Sequence, residues 1–311
     1  MADSKLRVVL VAEESAGVQT LRMLIKSDHD LVMVLTSTAS GDVATASVAG
    51  IAERNGCRIE PGVLVKDPAF ADTLRDERVD LLLNVHSLYL ANGAVVDAPR
   101  IGSFNLHPGP LPEYAGLNCP SWAIYNDEPE HGVTLHWMTS GVDTGDIAYQ
   151  GRFALGPKDT GLSVSARCVR EGLPLIAKLL DDAAVGRIPK IGQDLAMRRV
   201  YRKKDIPHDG RIDWRLPAAR VDAFVRAADY HPLATPWGHP VASLDRRTLG
   251  IVKVERTGQG CSEQAGTIAR GSDGIKVATG DQWLILRLIH QDGEYRDPSE
   301  VIQTEGLCFA A

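Results

Sequence analysis

A chain of 311 residues is long enough for one large or two ordinary domains at roughly 150 residues each, and long enough to bury a real core. Hydrophobic residues make up 44% and charged residues 24%, which excludes the disordered, collagen-like and low-complexity classes. Lysine plus arginine is 34 against 40 for aspartate plus glutamate, a net charge of -6, so the whole molecule lacks the basic footprint of a nucleic-acid binder and only a local patch stays open.

Leu6–Ala12 reads as a first buried strand. Its apolar run ends at Glu13 and Glu14, far short of the ~18 residues that cross a bilayer, so neither a membrane span nor a signal peptide is expected. Val18, Leu21, Leu24 and Ile25 recur at spacings of three and four, which predicts a helix through Val18–Lys26. Then follow a strand at Leu31–Leu35, a helix at Thr45–Arg54, a short edge strand at Arg58–Glu60, a helix at Ala69–Asp76 and a buried run at Val79–Val85. Ile101–Leu106 and Gly132–Met138 read as strands with a helix around Cys119–Tyr125 between them. Asp146–Phe153 is the next strand, and Leu162–Leu180 a long helix. This alternation predicts an α/β fold, a Rossmann-like and mostly parallel sheet covered on both faces.

Around Gly192–Ile206 the periodicity fails and Arg198, Arg199, Arg202, Lys203 and Lys204 crowd together. We therefore divide the chain into residues 1–190, a linker at 191–209 and a second domain at 210–311. The second domain opens with a helix at Ala218–Ala228. Short strands follow at Gly250–Val254, Gly266–Ala269, Gly274–Ala278 and Trp283–Ile289, as in a small β-rich barrel or sandwich. Cys57, Cys119, Cys168, Cys261 and Cys308 are odd in number and form no CxxC pair. That suits a reducing, cytoplasmic setting and argues against a disulfide scaffold or a structural zinc site.

The densest chemistry is Phe104-Asn105-Leu106-His107-Pro108-Gly109-Pro110-Leu111-Pro112, where a strand of an open sheet ends and ligands of such folds bind. On period two, Asn105 and His107 project from one face. An amide there donates to a developing oxyanion, while an imidazole donates to it or moves a proton. Taken alone, the segment is equally a strand end stiffened by proline with its histidine satisfied by backbone. A second cluster, Ser140-Gly141-Val142-Asp143-Thr144-Gly145-Asp146, has glycines that let a tight turn carry Asp143 back over the sheet. A carboxylate beside His107 orients the ring and favours its protonated form. Cys119 lies nearby and reads as an inert buried thiol. His131 and His136, five apart on one strand, face opposite ways and cannot chelate one metal.

These residues, with Leu111-Pro112-Glu113-Tyr114-Ala115-Gly116, His131-Gly132-Val133-Thr134-Leu135-His136 and Val142-Asp143-Thr144-Gly145-Asp146-Ile147, resemble the formyltransferases that use 10-formyltetrahydrofolate. The motifs keep order and spacing over about the first two hundred residues. Gly210-Arg211-Ile212-Asp213-Trp214 and the strand-rich tail resemble the OB-like C-terminal domain of methionyl-tRNA and amino-sugar formyltransferases. The resemblance implies catalytic roles for Asn105, His107 and Asp143. An acceptor amine attacks the formyl carbon, Asn105 and His107 hold the tetrahedral oxyanion, and Asp143 holds His107 while protons move to the leaving folate nitrogen. It implies a pterin pocket from Asn84-Val85-His86-Ser87-Leu88-Tyr89-Leu90 and Thr139–Asp143, with His86, Ser87, Leu88, Tyr89, Leu90, Gly141 and Val142 as contacts. No metal is implied. Glu13-Glu14-Ser15-Ala16-Gly17 lacks the dinucleotide fingerprint GxGxxG, and Glu13 and Glu14, with Leu117 and Asn118, are candidate acceptor contacts.

No arginine follows Tyr114, unlike in methionyl-tRNA formyltransferases, which with the net acidity weakens a tRNA acceptor. The wording of 108–116 looks more like formylation domains of peptide synthetases and of secondary metabolism. The expected acceptor is therefore a small-molecule or carrier-bound amine, with a nucleotide-linked amino sugar next, then methionyl-tRNA. A folate hydrolase sharing the motifs and a non-catalytic folate-binding or carrier-docking module are the competing classes.

Overall fold

The computed structural model describes residues 5–37, 47–87, 89–245, 247–303 and 306–309. Its contacts cluster into two compact units. One holds Met1–Gly116, Gly132–Phe153 and Ala166–Val200, the other Leu117–His131, Ala154–Ser165 and Tyr201–Ala311.

The first unit begins with strand β1 (Arg7–Ala12), helix α1 (Glu14–Lys26), β2 (Asp30–Thr36), α2 (Val48–Arg54), β3 (Ile59–Pro61), α3 (Phe70–Asp76), β4 (Leu81–Val85), α4 (Gly93–Val96), β5 (Gly102–His107) and the two-residue β6 (Ala115–Gly116). After α5 (Cys119–Tyr125) come β7 (Glu130–Trp137), β8 (Ile147–Ala154), the 24-residue α6 (Gly161–Ala184) and the short β9 (Val200–Tyr201). Helix α2 starts at Val48 because the Ser47 hydroxyl accepts from the Gly50 amide at 3.0 Å, a capping bond that satisfies an orphan donor. Of the helix expected at Thr45–Arg54, residues 45 and 46 lie outside the described ones.

The sheet runs β3-β2-β1-β4-β5-β7-β8. β1 pairs with β2 and β4, β2 with β3, and β4 with β5, all in parallel, whereas β5 and β7 are antiparallel. The parallel strands read as unbroken apolar runs because both faces are covered. Val8, Val9 and Leu10 in β1 and Leu81, Leu82 and Leu83 in β4 are almost wholly buried. From β1 the chain builds outward to β3 and returns on the other side as β4. The strand order therefore reverses between β1 and β4, and the crevice at the carboxyl ends of β1, β4 and β5 is the place where such sheets bind ligands. Helix α6 lies close to β5: a Cβ on Gly172 would come within 2.9 Å of the Leu106 side chain. A larger residue there would require the Leu106 side chain to shift on the strand carrying Asn105 and His107.

The second unit contains α5, α7 (Ala218–Ala227), strands β10 (Val241–Leu244), β11 (Arg247–Gly260), β12 (Ile268–Gly271), β13 (Gly274–Ala278), β14 (Gln282–Gln291) and β15 (Glu294–Arg296), and the short α8 (Pro298–Val301). The strands form one antiparallel sheet, β10-β11-β14-β13-β12, with β15 added on β14. Trp214 stacks on Phe309 with ring centroids 5.3 Å apart, and both are about 1% exposed. Among the described residues no helix is long and apolar enough to cross a membrane.

Candidate active site

Asn105 and His107 leave the same face of β5 at its carboxyl end, as period two requires. Because β7 runs antiparallel to β5, it sets His136 directly opposite Asn105 and Thr134 opposite His107. Asn84 of β4 is the partner of Asn105 on the other side. The turn after β7 brings Asp143 to the same place in a left-handed conformation, φ +52°. Asp143 Oδ2 accepts from the Gly116 amide at 2.8 Å and lies 3.6 Å from His107 Nδ1. Asp143 Oδ1 is 3.5 Å from both Asn105 Nδ2 and His136 Nε2. Asn105 Nδ2 is 3.1 Å from His136 Nε2, and His107 Nε2 donates to the Tyr114 carbonyl at 2.6 Å. Thr134 anchors the proline-rich exit of β5: its hydroxyl donates to the Gly109 carbonyl at 2.7 Å and accepts from the Leu111 amide at 3.1 Å.

Burial disfavours the charged form of both key groups, yet the balance differs. For Asp143 burial pushes upward, but His107, His136 and the Gly116 amide outweigh it and hold the carboxyl well below its usual range. For His107, 3% exposed, burial is the larger influence and lowers its pKa despite Asp143 and the Tyr114 carbonyl. The carboxylate does favour the protonated ring, as expected, but burial outweighs it. Because the Tyr114 carbonyl can only accept, the neutral ring carries its proton on Nε2, and Nδ1 faces Asp143. A proton taken there gains the carboxylate as its counter-charge.

The turn that carries Asp143 is strapped down by a segment the sequence reads as aperiodic. Gln193 Nε2 donates to the carbonyls of Asp143 at 3.1 Å and Gly145 at 2.6 Å, and the Arg198 guanidinium donates to the Val142 carbonyl at 2.5 Å. Gly145 itself lies against β7. A Cβ there would sit 1.9 Å from the Trp137 carbonyl oxygen and 2.9 Å from its carbon, so backbone would have to move. Gly145→Ala is therefore expected to displace Asp143 and lower turnover on the order of a hundredfold, the usual penalty for about an ångström of misplacement. Steady-state kinetics on the folded variant would show it, and turnover within threefold of the parent would refute the tight fit.

Beside these groups opens a pocket of about 490 Å³ including its mouth, lined by Asn84, Tyr89, Leu90, Ala91, Asn105, His136, Met138 and residues 139–143. The mix of apolar wall with a few polar groups is usual for a small-molecule site. Asn84 Oδ1 is buried there with no hydrogen-bond partner, and a buried acceptor left so points to a missing donor. Tyr89, Leu90, Gly141 and Val142, expected as pocket contacts, line it. Ser87 accepts from the Tyr89 amide at 3.2 Å. Leu88 lies outside the described residues. His86 pairs through Nδ1 with Glu14 at 3.2 Å, a hydrogen bond that holds the Glu14 carboxyl below its ordinary value.

Glu13 does not offer a free carboxylate. It accepts from the Ser37 amide and hydroxyl at 2.5 and 2.9 Å and from the Thr36 hydroxyl at 3.2 Å, tying the end of β1 to that of β2. Leu117 and Asn118 belong to the second unit, where Leu117 is half exposed and Asn118, at φ +59°, precedes α5. Sequence reasoning missed His136, Gln193 and Arg198. For His136 the available signal was its even spacing from Thr134 on a strand next to the Asn-x-His segment.

Residues 5–178 match the model of the formyl transferase family, and residues 206–303 that of the formyl transferase C-terminal domain. A methionyl-tRNA formyltransferase of Citrifermentans bemidjiense is 29% identical over 299 residues, covering 94% of this chain and 92% of its own. An N-formyltransferase from Helicobacter canadensis, solved in complex with folinic acid and dTDP-3-aminofucose, superposes with a TM-score of 0.69 at 17% identity, over 90% of this chain and 99% of that one. HypX from Aquifex aeolicus, solved in complex with tetrahydrofolic acid, superposes with a TM-score of 0.67 at 16% identity, over 96% of this chain. The match spans only 47% of HypX.

Proposed function

Because the chain belongs to the formyl transferase family, we propose that it moves the formyl group of 10-formyltetrahydrofolate to an amine, with Asn105, His107 and Asp143 as its working residues. The observation that carries this reading is the convergence of those three side chains, within 3.6 Å of one another through Asp143, beside a pocket with an unpartnered buried acceptor. The pocket fits a flat ring with polar edges. Asn84 Oδ1 would take a ring donor, Leu90, Met138 and Val142 would supply apolar faces, and the turn at 139–143 would add backbone groups. The folate supplies an activated formyl carbon.

The chain's own residues then have separable tasks. Asn105 donates from its carboxamide to the formyl oxygen as negative charge develops there. His107 takes up a proton released from the attacking amine as its bond to the formyl carbon forms, and returns it to the folate nitrogen as the old carbon–nitrogen bond breaks. Asp143 stabilises the imidazolium so formed and keeps the ring in place. We assign this chemistry to residues 1–190, with 191–209 as linker and 210–311 as the domain that frames the acceptor.

For the acceptor, the relatives favour an amine borne on a nucleotide-containing molecule over the free or carrier-bound amine expected from residues 108–116. Methionyl-tRNA comes first, supported by the similarity to methionyl-tRNA formyltransferases over nearly the whole chain. A nucleotide-linked amino sugar comes second, supported by the fold likeness to a protein solved with one. The exposed Arg199, Arg202, Lys203 and Lys204 suit phosphate contacts despite the net acidity. The test is mass spectrometry of reactions holding the formyl donor and one of three pools: methionyl-tRNA, nucleotide-linked amino sugars, or free and carrier-bound amino acids. Formylation confined to the third pool would overturn the acceptor reading while leaving the transferase intact.

A further inference from the structure

The proposed transfer leaves one buried histidine at the site unused. His136 is 3% exposed and touches two of the three working residues. Its ring nitrogens can be assigned from their partners. Nδ1 lies 2.7 Å from the carbonyl oxygen of Trp137, which can only accept, so Nδ1 carries the proton. In the neutral ring Nε2 is then an acceptor. What faces it at 3.1 Å is Asn105 Nδ2, so the Asn105 carboxamide is held with its NH2 toward His136 and its oxygen away. The nearness of Asp143 Oδ1, 3.5 Å from the same Nδ2, supports that orientation, because a carboxamide oxygen there would meet a carboxylate.

We propose that His136 is a positioning residue for the transfer: the Trp137 carbonyl locks it as the Nδ1–H tautomer, and its Nε2 binds one Asn105 amide hydrogen and so aims the other at the formyl oxygen. Among the described residues the second hydrogen is engaged by the long contact to Asp143, which is readily exchanged for a developing oxyanion. Gly145 fits into the same arrangement, since it packs on the carbonyl that fixes the tautomer.

The inference rests on the formyl-transfer reading, and two measurements on the full chain separate their failures. His136→Phe cannot accept a hydrogen bond. It is expected to lower kcat on the order of 10²-fold, as loss of an oxyanion donor does, with KM for the formyl donor changed by less than about threefold. His136→Gln retains an acceptor oxygen. It is expected to recover kcat to within about tenfold of the parent. Unchanged kcat in His136→Phe, or His136→Gln as impaired as His136→Phe although folded and folate-binding, would overturn it. Long-range proton–nitrogen NMR correlations read the tautomer without any activity. Nδ1–H at His136 is expected, and Nε2–H would overturn the inference even in an active enzyme. A parent chain that forms no formyl amide while showing Nδ1–H would instead defeat the transfer reading.

Discussion

Replacing His107 with alanine should lower the turnover number for formyl transfer on the order of a thousandfold, the middle of the range for loss of a general acid or base. Affinity for the folate should hardly change, because His107 is absent from the pocket lining formed by Asn84, Tyr89, Leu90, Met138 and the turn at 139–143. A split between kcat and affinity is the signature of a group that acts in the transition state. Steady-state kinetics and folate titration on the same preparation would check it. Turnover within tenfold of the parent would remove His107 from the mechanism.

The parent enzyme should also show an acid limb displaced below the ordinary histidine value of about 6.5, because burial lowers the His107 pKa. The sign follows from linkage. The folded protein binds this proton less readily than the unfolded chain, so stability from His107 is complete above the unfolded value and is lost as pH falls through the lower, folded one. Activity and stability therefore decline together on the acid side.

The largest stability effect is expected in the second unit. Trp214→Ala removes a side chain that is 1% exposed and stacked on Phe309 at 5.3 Å, a loss of about 3–5 kcal/mol for an aromatic in a core. Urea unfolding followed by far-ultraviolet circular dichroism would resolve it. Trp214→Phe should be much milder. It keeps a ring against Phe309 and deletes an indole nitrogen that is buried with no hydrogen-bond partner, so the desolvation penalty of that donor is relieved. Equal destabilisation by the two variants would show that the indole makes a contribution beyond packing.

Much of the architecture can be read from residue periodicity. The apolar runs of β1 and β4 and the three-and-four spacing of α1 survive because a parallel sheet covered on both faces leaves little freedom at those positions. Asn105 and His107 were legible for a similar reason: alternation alone places them on one face, and the prolines mark the strand end. His136 was not legible as their partner. Its relation to Asn105 depends on the antiparallel pairing of β5 with β7, 31 residues away, and pairing direction leaves no local trace. Gln193 and Arg198 were hidden because their contacts run from an aperiodic segment to backbone carbonyls, which carry no side-chain signature. The lowered pKa of His107 was not legible, because the sequence shows the nearby carboxylate, which does favour the proton, but not the burial that outweighs it. The hydrogen bonds of Glu13 were not legible because its partners, Thr36 and Ser37, are brought to it only by sheet formation.

The most direct measurement uses 10-formyltetrahydrofolate carrying 13C in the formyl group, incubated with the full chain and the three acceptor pools and followed by carbon NMR. The expected result is transfer of the label into an amide carbon of one acceptor, abolished in His107→Ala. Label released only as formate in every pool would contradict the transferase and identify the chain as a hydrolase of the same folate.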